Sequence, residues 1–390
     1  MKTSLFALFL FISLNLFGQC DGTRYKDVIF DNEKKTDLFG NNLKFNGVSQ
    51  DLYMDLYLPS VDTFSKRPVV ILCFGGGFVQ GSRTSGELVY FANYFSKLGY
   101  VVASIDYRLD QASNMTDPIL SSKAVVRAVH DGRAAIRYLK SKHTEYQLDT
   151  NLFFIGGTSA GGVLSLTLAY SQYNDFSPIL KNSIDSMGGF EGTSNALFNH
   201  SSDIRGVFHF AGGISDTSHI KSNEVPAYHN HSVLDPLVPF RKGLPMGGTA
   251  PNPLYGSYWM HQRLTNLGIY SVLDSFENAN HPAFVVGNTF DFPILTTTIN
   301  SLRNFLYRLV CPNNMNTKDA KRMISVYPNP VSNYLRLDGV KNGDLIQIFD
   351  IQSKCVLSTI SQNQFIDVTR LYKGVYLLYI NLEMIQKIVK

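Results

Sequence analysis

Cysteine is scarce in this chain. Its 390 residues hold four, Cys20, Cys73, Cys311 and Cys355. That excludes a disulfide-rich scaffold, and no paired Cys-x-x-Cys zinc signature occurs. Which cysteines pair, if any, cannot be read from their spacing. Charge is thin as well, at 17%, with a formal net charge of +4 and no long basic block. Proteins that bind nucleic acid concentrate Lys and Arg on one face, so no nucleic-acid partner is expected. Long apolar runs are missing. The run from Leu5 to Phe17 is interrupted by Ser13 and Asn15, and a membrane span needs about 20 apolar residues. No stable membrane span is expected there or elsewhere.

What is present points to a large, ordered chain. Hydrophobic residues make up 44% and aromatics 13%, including 27 Phe and 21 Tyr beside one Trp. Such a composition supports a sizeable core and excludes disorder. At roughly 100–200 residues per domain, the length suggests two or three units. The first is short. Lys2, the apolar run and the small residue Gly18 predict a secretory signal peptide over residues 1–18. Cleavage after Gly18 would expose Gln19. Cys20 raises a lipid-attachment alternative, which Gln19 fits poorly.

Residues 24–310 alternate short β-rich runs with helical patterns. A hairpin is expected over 42–58, then strands at Val69–Phe74, Tyr100–Asp106, Asn151–Ile155, Gly206–Phe210, Val225–His229 and Ile269–Phe276. Most are dense in Val, Ile, Leu or Phe without alternation, as strands covered on both faces are. Between them, Val125, Ala128, Val129, Gly132, Ile136 and Leu139 recur at helical spacing. The pattern predicts an α/β fold: a mostly parallel central sheet covered by helices. Residues 312–322 are nearly without apolar content and read as a linker. Beyond them come about seven short β-rich runs, a small all-β sandwich over 323–390.

The chemistry concentrates in Gly157-Thr158-Ser159-Ala160-Gly161. This G-x-S-x-G follows an apolar strand and precedes a helical run, the strand–turn–helix context of a nucleophile elbow. Upstream, Phe74-Gly75-Gly76-Gly77-Phe78 follows the strand ending at Cys73. Glycines let backbone N–H groups approach a developing oxyanion. A serine needs a base, and the base an orienting carboxylate. His281 lies in a polar loop after the last predicted strand of the sheet, and Asp235 lies just past the 225–229 strand. Asp274, Glu277 and Asp216 are rival acids. His209, inside a strand, and His261, in a helical stretch, read as structural. His229 and His231 could form a two-histidine metal pair, but no third ligand is apparent.

Together these residues resemble an α/β-hydrolase of the carboxylesterase/lipase type with an H-G-G-G oxyanion loop. The likeness covers roughly residues 40–310. It is carried by the glycine loop, Ile105-Asp106-Tyr107-Arg108-Leu109, the helix Asp131–Leu139, the elbow, the Asp235 loop and His281. It implies a catalytic domain over 19–311, a Ser159–Asp235–His281 triad, and oxyanion donors at Gly76, Gly77 and Ala160. No cofactor and no metal are expected. Phe74 stands where the family usually has His. The C-terminal block, through Val326-Tyr327-Pro328-Asn329-Pro330-Val331, Ile348-Phe349-Asp350 and Leu371-Tyr372-Lys373-Gly374-Val375-Tyr376, resembles a type IX secretion sorting domain. That implies export through the periplasm by the type IX machinery, to the medium or the cell surface.

The expected function is a secreted serine hydrolase that cleaves a small-molecule or polymer ester through an acyl-enzyme. The alternatives are an acetyl or feruloyl esterase acting on polysaccharide, and a catalytically inactive binding protein on the same fold. Segments 171–205 and 240–258, rich in Gly, Ser, Asn and Pro, are expected to cap the substrate pockets.

Overall fold

The computed structural model describes residues 20–312, 325–340, 344–351, 355–361, 364–380 and 383–390. The expected signal peptide, and the linker beyond Pro312, lie outside these residues. The chain divides into two compact units, Met1–Asn314 and Met315–Lys390.

The first unit is built on an eight-stranded sheet. Its strands are β1 (Asn32–Leu43), β2 (Ser49–Pro59), β3 (Arg67–Cys73), β4 (Val101–Ile105), β5 (Leu148–Thr158), β6 (Gly206–Phe210), β7 (Ala227–Ser232) and β10 (Ser271–Phe276). Short hairpins supply β8 (Lys242–Gly243) with β9 (Leu254–Tyr255), and β11 (Val285–Val286) with β12 (Thr289–Phe290). The sheet order is β1-β2-β4-β3-β5-β6-β7-β10. From β4 to β10 every pairing is parallel, while β1 and β2 form an antiparallel edge. Strands β3, β4 and β6 are buried at every residue. That explains why their sequences do not alternate.

The covering helices are α1 (Gly86–Lys97), α2 (Pro118–Ser141), α3 (Ala160–Tyr170), α4 (Pro178–Ser186), α5 (Ser257–Asn266) and α6 (Phe292–Val310). Asp117 caps α2, accepting from the N–H groups of Ile119 and Leu120, and Pro118 takes a first-turn position where no N–H is needed. The stripe read from the sequence faces inward. At Gly132 an added Cβ would lie 3.1 Å from both Leu164 and Leu168, so glycine sets the approach of α2 to α3. Chain order reverses at β3, whose neighbours are β4 and β5. That reversal opens a crevice at the strands' C-terminal ends, where sites in such sheets lie.

Two results were not readable from the sequence. Cys20 and Cys311 are joined in a disulfide, which ties the start of the described chain to the end of α6. In this state the Cys20 thiol is not open to lipid attachment. Cys73 is a buried free thiol. Second, segment 171–205 packs along α2 and β1. The Arg133 guanidinium sits 3.7 Å from the Phe190 ring centroid, Arg137 pairs with Glu191 at 2.9 Å, and the Ser194 hydroxyl donates to Asp131 at 2.6 Å. Buried arginines on α2 needed partners, and this segment supplies them. Segment 240–258 reaches the start of α2, where the Asn252 amide donates to the Pro118 carbonyl at 2.8 Å.

The second unit packs β13 (Ser325–Tyr327), β14 (Tyr334–Asp338) and β17 (Phe365–Asp367) in one antiparallel sheet. A second sheet holds β15 (Leu345–Asp350), β16 (Cys355–Ile360), β18 (Val375–Ile380) and β19 (Glu383–Val389). Alternate residues such as Leu335, Leu337, Ile346, Ile348, Leu378 and Ile388 form its core.

The disulfide closes a sequence separation of 291 residues. Chain-entropy arguments assign such a cross-link up to about 5 kcal/mol. Reduction, or Cys311→Ser, should therefore lower the thermal midpoint of the first unit by several degrees in calorimetry. An unchanged midpoint would contradict this.

Candidate active site

The turn between β5 and α3 is strained at one residue. Ser159 has φ +54° and ψ −116°, a left-handed conformation that a side chain rarely adopts. Close packing holds it there. An added Cβ at Gly157 or at Gly161 would lie 2.1 Å from the Cys73 carbonyl oxygen, so only glycine fits either position. The Ser159 N–H donates to the Phe210 carbonyl at 2.8 Å, and the Val163 N–H donates to the Ser159 carbonyl at 2.9 Å. Ala160 is the first residue of α3, whose N-terminal N–H groups favour negative charge.

The glycine loop lies beside this turn because β3 and β5 are paired, with Cys73 opposite Gly157. Gly75 is the glycine packed on the serine: its added Cβ would lie 3.4 Å from Ser159 Cβ. The sequence reading passed over Gly75 in favour of Gly76 and Gly77. Gly76 has φ +120°, and Gly77 has φ +62°. Phe74 is buried and stacks on Tyr107, with ring centroids 4.0 Å apart. The Tyr107 hydroxyl donates to the Phe74 carbonyl at 2.9 Å. Gly81 presses on the same ring, since its added Cβ would meet Phe74 Cδ2 at 2.5 Å. Aromatic packing thus supports the loop at the position where the family usually has His.

Asp235 follows β7. Its Oδ1 accepts from the backbone N–H of Leu237 at 2.8 Å and of Val238 at 2.9 Å. Its Oδ2 lies 2.7 Å from His281 Nδ1, so the structure brings these two residues together across 46 positions. The Nδ1–H donates to the carboxylate, which leaves Nε2 as the basic nitrogen. That Nε2 is buried and has no hydrogen-bond partner. The His281 loop is braced by the Ser232 hydroxyl on the Asn280 carbonyl at 2.5 Å. Burial alone would raise the Asp235 pKa, but the donors from His231 and His281 outweigh it and hold the carboxyl below its ordinary value. Two rival acids have other work. Asp274 accepts from the Tyr228 hydroxyl at 2.8 Å, and Asp216 from the Ser218 N–H at 2.7 Å.

Three other histidines of this region, His209, His229 and His261, form a hydrogen-bonded network. His209 Nδ1 accepts from the Gly212 N–H at 2.9 Å, so its Nε2–H donates to His229 Nδ1 at 2.7 Å. His229 Nε2 meets the Ser271 hydroxyl at 3.1 Å, and that hydroxyl lies 2.8 Å from His261 Nδ1. Both ring nitrogens of His229, one half of the suspected metal pair, are therefore engaged by protein groups.

Set beside known proteins, residues 54–235 match the BD-FAE family, and residues 325–390 match the secretion system C-terminal sorting domain. Fumonisin B1 esterase of Sphingopyxis macrogoltabida is 27% identical over 169 residues, 40% of this chain and 30% of that protein. Arylacetamide deacetylase-like 2 of Homo sapiens is 29% identical over 128 residues, 32% of this chain and 29% of that protein. The chain thus spans under a third of the length of these curated relatives. Among solved structures, native esterase 2 of Thermogutta terrifontis superposes with a TM-score of 0.52 at 20% identity, over 76% of this chain and 100% of that one. The first unit has the fold of this solved esterase, the α/β-hydrolase fold. By sequence, residues 54–235 are similar to the BD-FAE family, and residues 325–390 are similar to the secretion system C-terminal sorting domain.

The buried imidazoles give stability a definite pH dependence. Burial pushes His229 down from 6.5 to about 3, His130 likewise to about 3, and His209 well below its ordinary value. These groups stay neutral when folded, so below pH 6.5 the unfolded chain gains protons that the folded chain refuses. Stability should fall progressively from pH 6.5 towards 3. Urea midpoints at pH 7.0 and 4.5 check this, and equal midpoints would refute it.

Proposed function

We propose that the chain is a secreted hydrolase of carboxylic esters that works through a Ser159–Asp235–His281 triad and an acyl-enzyme. Ser159 Oγ attacks the ester carbonyl carbon while His281 Nε2 takes the hydroxyl proton. The tetrahedral intermediate collapses, and the C–O bond to the alcohol breaks as His281 returns the proton to the leaving oxygen. A water then attacks the acyl-enzyme by the same route, releasing the acid and the free serine. Asp235 keeps the imidazole in the tautomer with its proton on Nδ1 and stabilises the imidazolium. The N–H groups of Gly76, Gly77 and Ala160 take the oxyanion. The observation that carries this reading is the Asp235–His281 hydrogen bond, which leaves a buried, unpartnered Nε2.

An ester with an apolar part suits the surroundings. Leu234 and Leu237 on the acid loop, and Leu244 and Met246 on the segment beyond it, are exposed. They would form an apolar rim for the acyl or alcohol group, with segment 240–258 setting selectivity. We read the working enzyme as residues 19–311, with 1–18 and 323–390 serving export.

Ser159→Ala should lower turnover of a nitrophenyl acetate at least about 10³-fold without changing the fold. A fluorophosphonate probe should label wild type at Ser159 and leave the variant unlabelled. Wild-type activity in Ser159→Ala would refute the mechanism. An unlabelled, inactive wild type would point to a binding protein instead.

A further inference from the structure

Asp235 has one more partner than a triad acid requires. His231 Nε2 lies 3.4 Å from Oδ2, the same oxygen that holds His281. It also lies 3.0 Å from the Val238 carbonyl oxygen. A carbonyl only accepts, so this Nε2 carries the ring proton and shares it between Val238 and Asp235. The other nitrogen, Nδ1, is then a lone pair, and the Ser257 hydroxyl donates to it at 2.7 Å. The hydrogen bonds therefore dictate the tautomer.

Nothing in this group is free to wander. His231 and Ser257 are fully buried, as is the Asp235 side chain. His231 is the fifth residue of β7, held in the sheet four positions before Asp235. Ser257 opens α5, and the turn before it is pressed against the acid loop: an added Cβ at Gly256 would lie 1.9 Å from the Pro239 carbonyl oxygen. The groups that face the His231 ring are Asp235 and Val238 from the acid loop, Ser257 from α5, the Phe240 ring at 5.7 Å and the His209 ring of β6 at 6.4 Å.

We propose that His231, oriented by Ser257, is a positioning residue for the catalytic acid, fixing the Asp235 carboxylate so that Oδ2 stays on His281 Nδ1 during turnover. The two backbone N–H groups hold only Oδ1, and His231 approaches Oδ2, the oxygen that also accepts from His281. No proton leaves His231 in this role. The inference rests on the triad reading above.

The test uses the full chain with nitrophenyl acetate over pH 5–9. His231→Leu removes the donor, His231→Gln returns an N–H near the Nε2 position, and Ser257→Ala releases the tautomer. In His231→Leu, kcat should fall about 10–100-fold with KM nearly unchanged, the scale of a misplaced catalytic group. The acid limb of kcat/KM should move to higher pH, because a carboxylate that has lost a donor holds the His281 proton more tightly. His231→Gln should recover most of kcat and restore the limb. Ser257→Ala should show a smaller loss with the limb displaced in the same direction. Unchanged kcat and acid limb in a folded His231→Leu would overturn the proposal. So would a His231→Gln as impaired as His231→Leu, which would mark a packing role alone. If His231→Leu does not fold, Ser257→Ala decides, and wild-type kcat and acid limb there overturn the proposal. Ser159→Ala runs alongside. If that variant is active, the triad reading itself has failed, whatever His231 does.

Discussion

The Cys73 carbonyl oxygen is the point against which the elbow of the first unit is packed. Two glycines on the far side of the elbow, Gly157 and Gly161, pass so close that neither could carry a Cβ. Strand β5 must therefore turn into α3 hard against the end of β3. The turn leaves Ser159 in a left-handed conformation whose cost is of order 1–3 kcal/mol. That cost is offset by the buried sheet on both sides, where β3 pairs with β4 and β5. The same closeness sets the glycine loop beside the serine, since the loop is the direct continuation of β3. One steric constraint thus places Ser159 and the glycine loop side by side.

The other half of the site is held by hydrogen bonds rather than by contact. Asp235 and His281 come from loops after β7 and β10, which are adjacent and parallel. Their meeting follows from sheet order, and its precision from donors: two backbone N–H groups on Oδ1 and two imidazoles converging on Oδ2. Each donor favours the ionised carboxyl, so the acid stays charged although its side chain is buried. An ionised acid is what an imidazolium needs beside it during turnover.

Much of this was legible in the sequence where chemistry and local pattern coincide. The unalternating strands, the α2 stripe, the G-x-S-x-G turn, and the positions of Asp235 and His281 each leave a short, local trace. Other features leave none. The Cys20–Cys311 bond spans nearly the whole unit, and spacing carries no information about it. Segment 171–205 looked like a cap because it is rich in small polar residues. Its position is set by Arg133 and Arg137 on α2, whose burial the helical pattern alone did not show. Gly75 was undistinguished among three glycines until the pairing of β3 with β5 put it against Ser159. His231 was read with His229 as an alternating strand pair, which is correct, but that view hides its reach to Asp235 in the following loop.

The histidines beneath the site follow one rule. A neutral imidazole has one donor and one acceptor, so a chain of them can be buried if the ends find partners. Here His209 begins at the Gly212 N–H, and the chain runs through His229 to Ser271 and His261. His231 is satisfied separately, by Ser257 on one side and by Val238 and Asp235 on the other. Only His281 breaks the rule, with Nδ1 engaged and Nε2 left buried without a partner. An unsatisfied buried nitrogen costs about 1–3 kcal/mol. Among these five neighbouring histidines, the one that bears this cost is the one whose Nδ1 is hydrogen-bonded to the acid at 2.7 Å. That asymmetry supports the proposal that His281 is the general base.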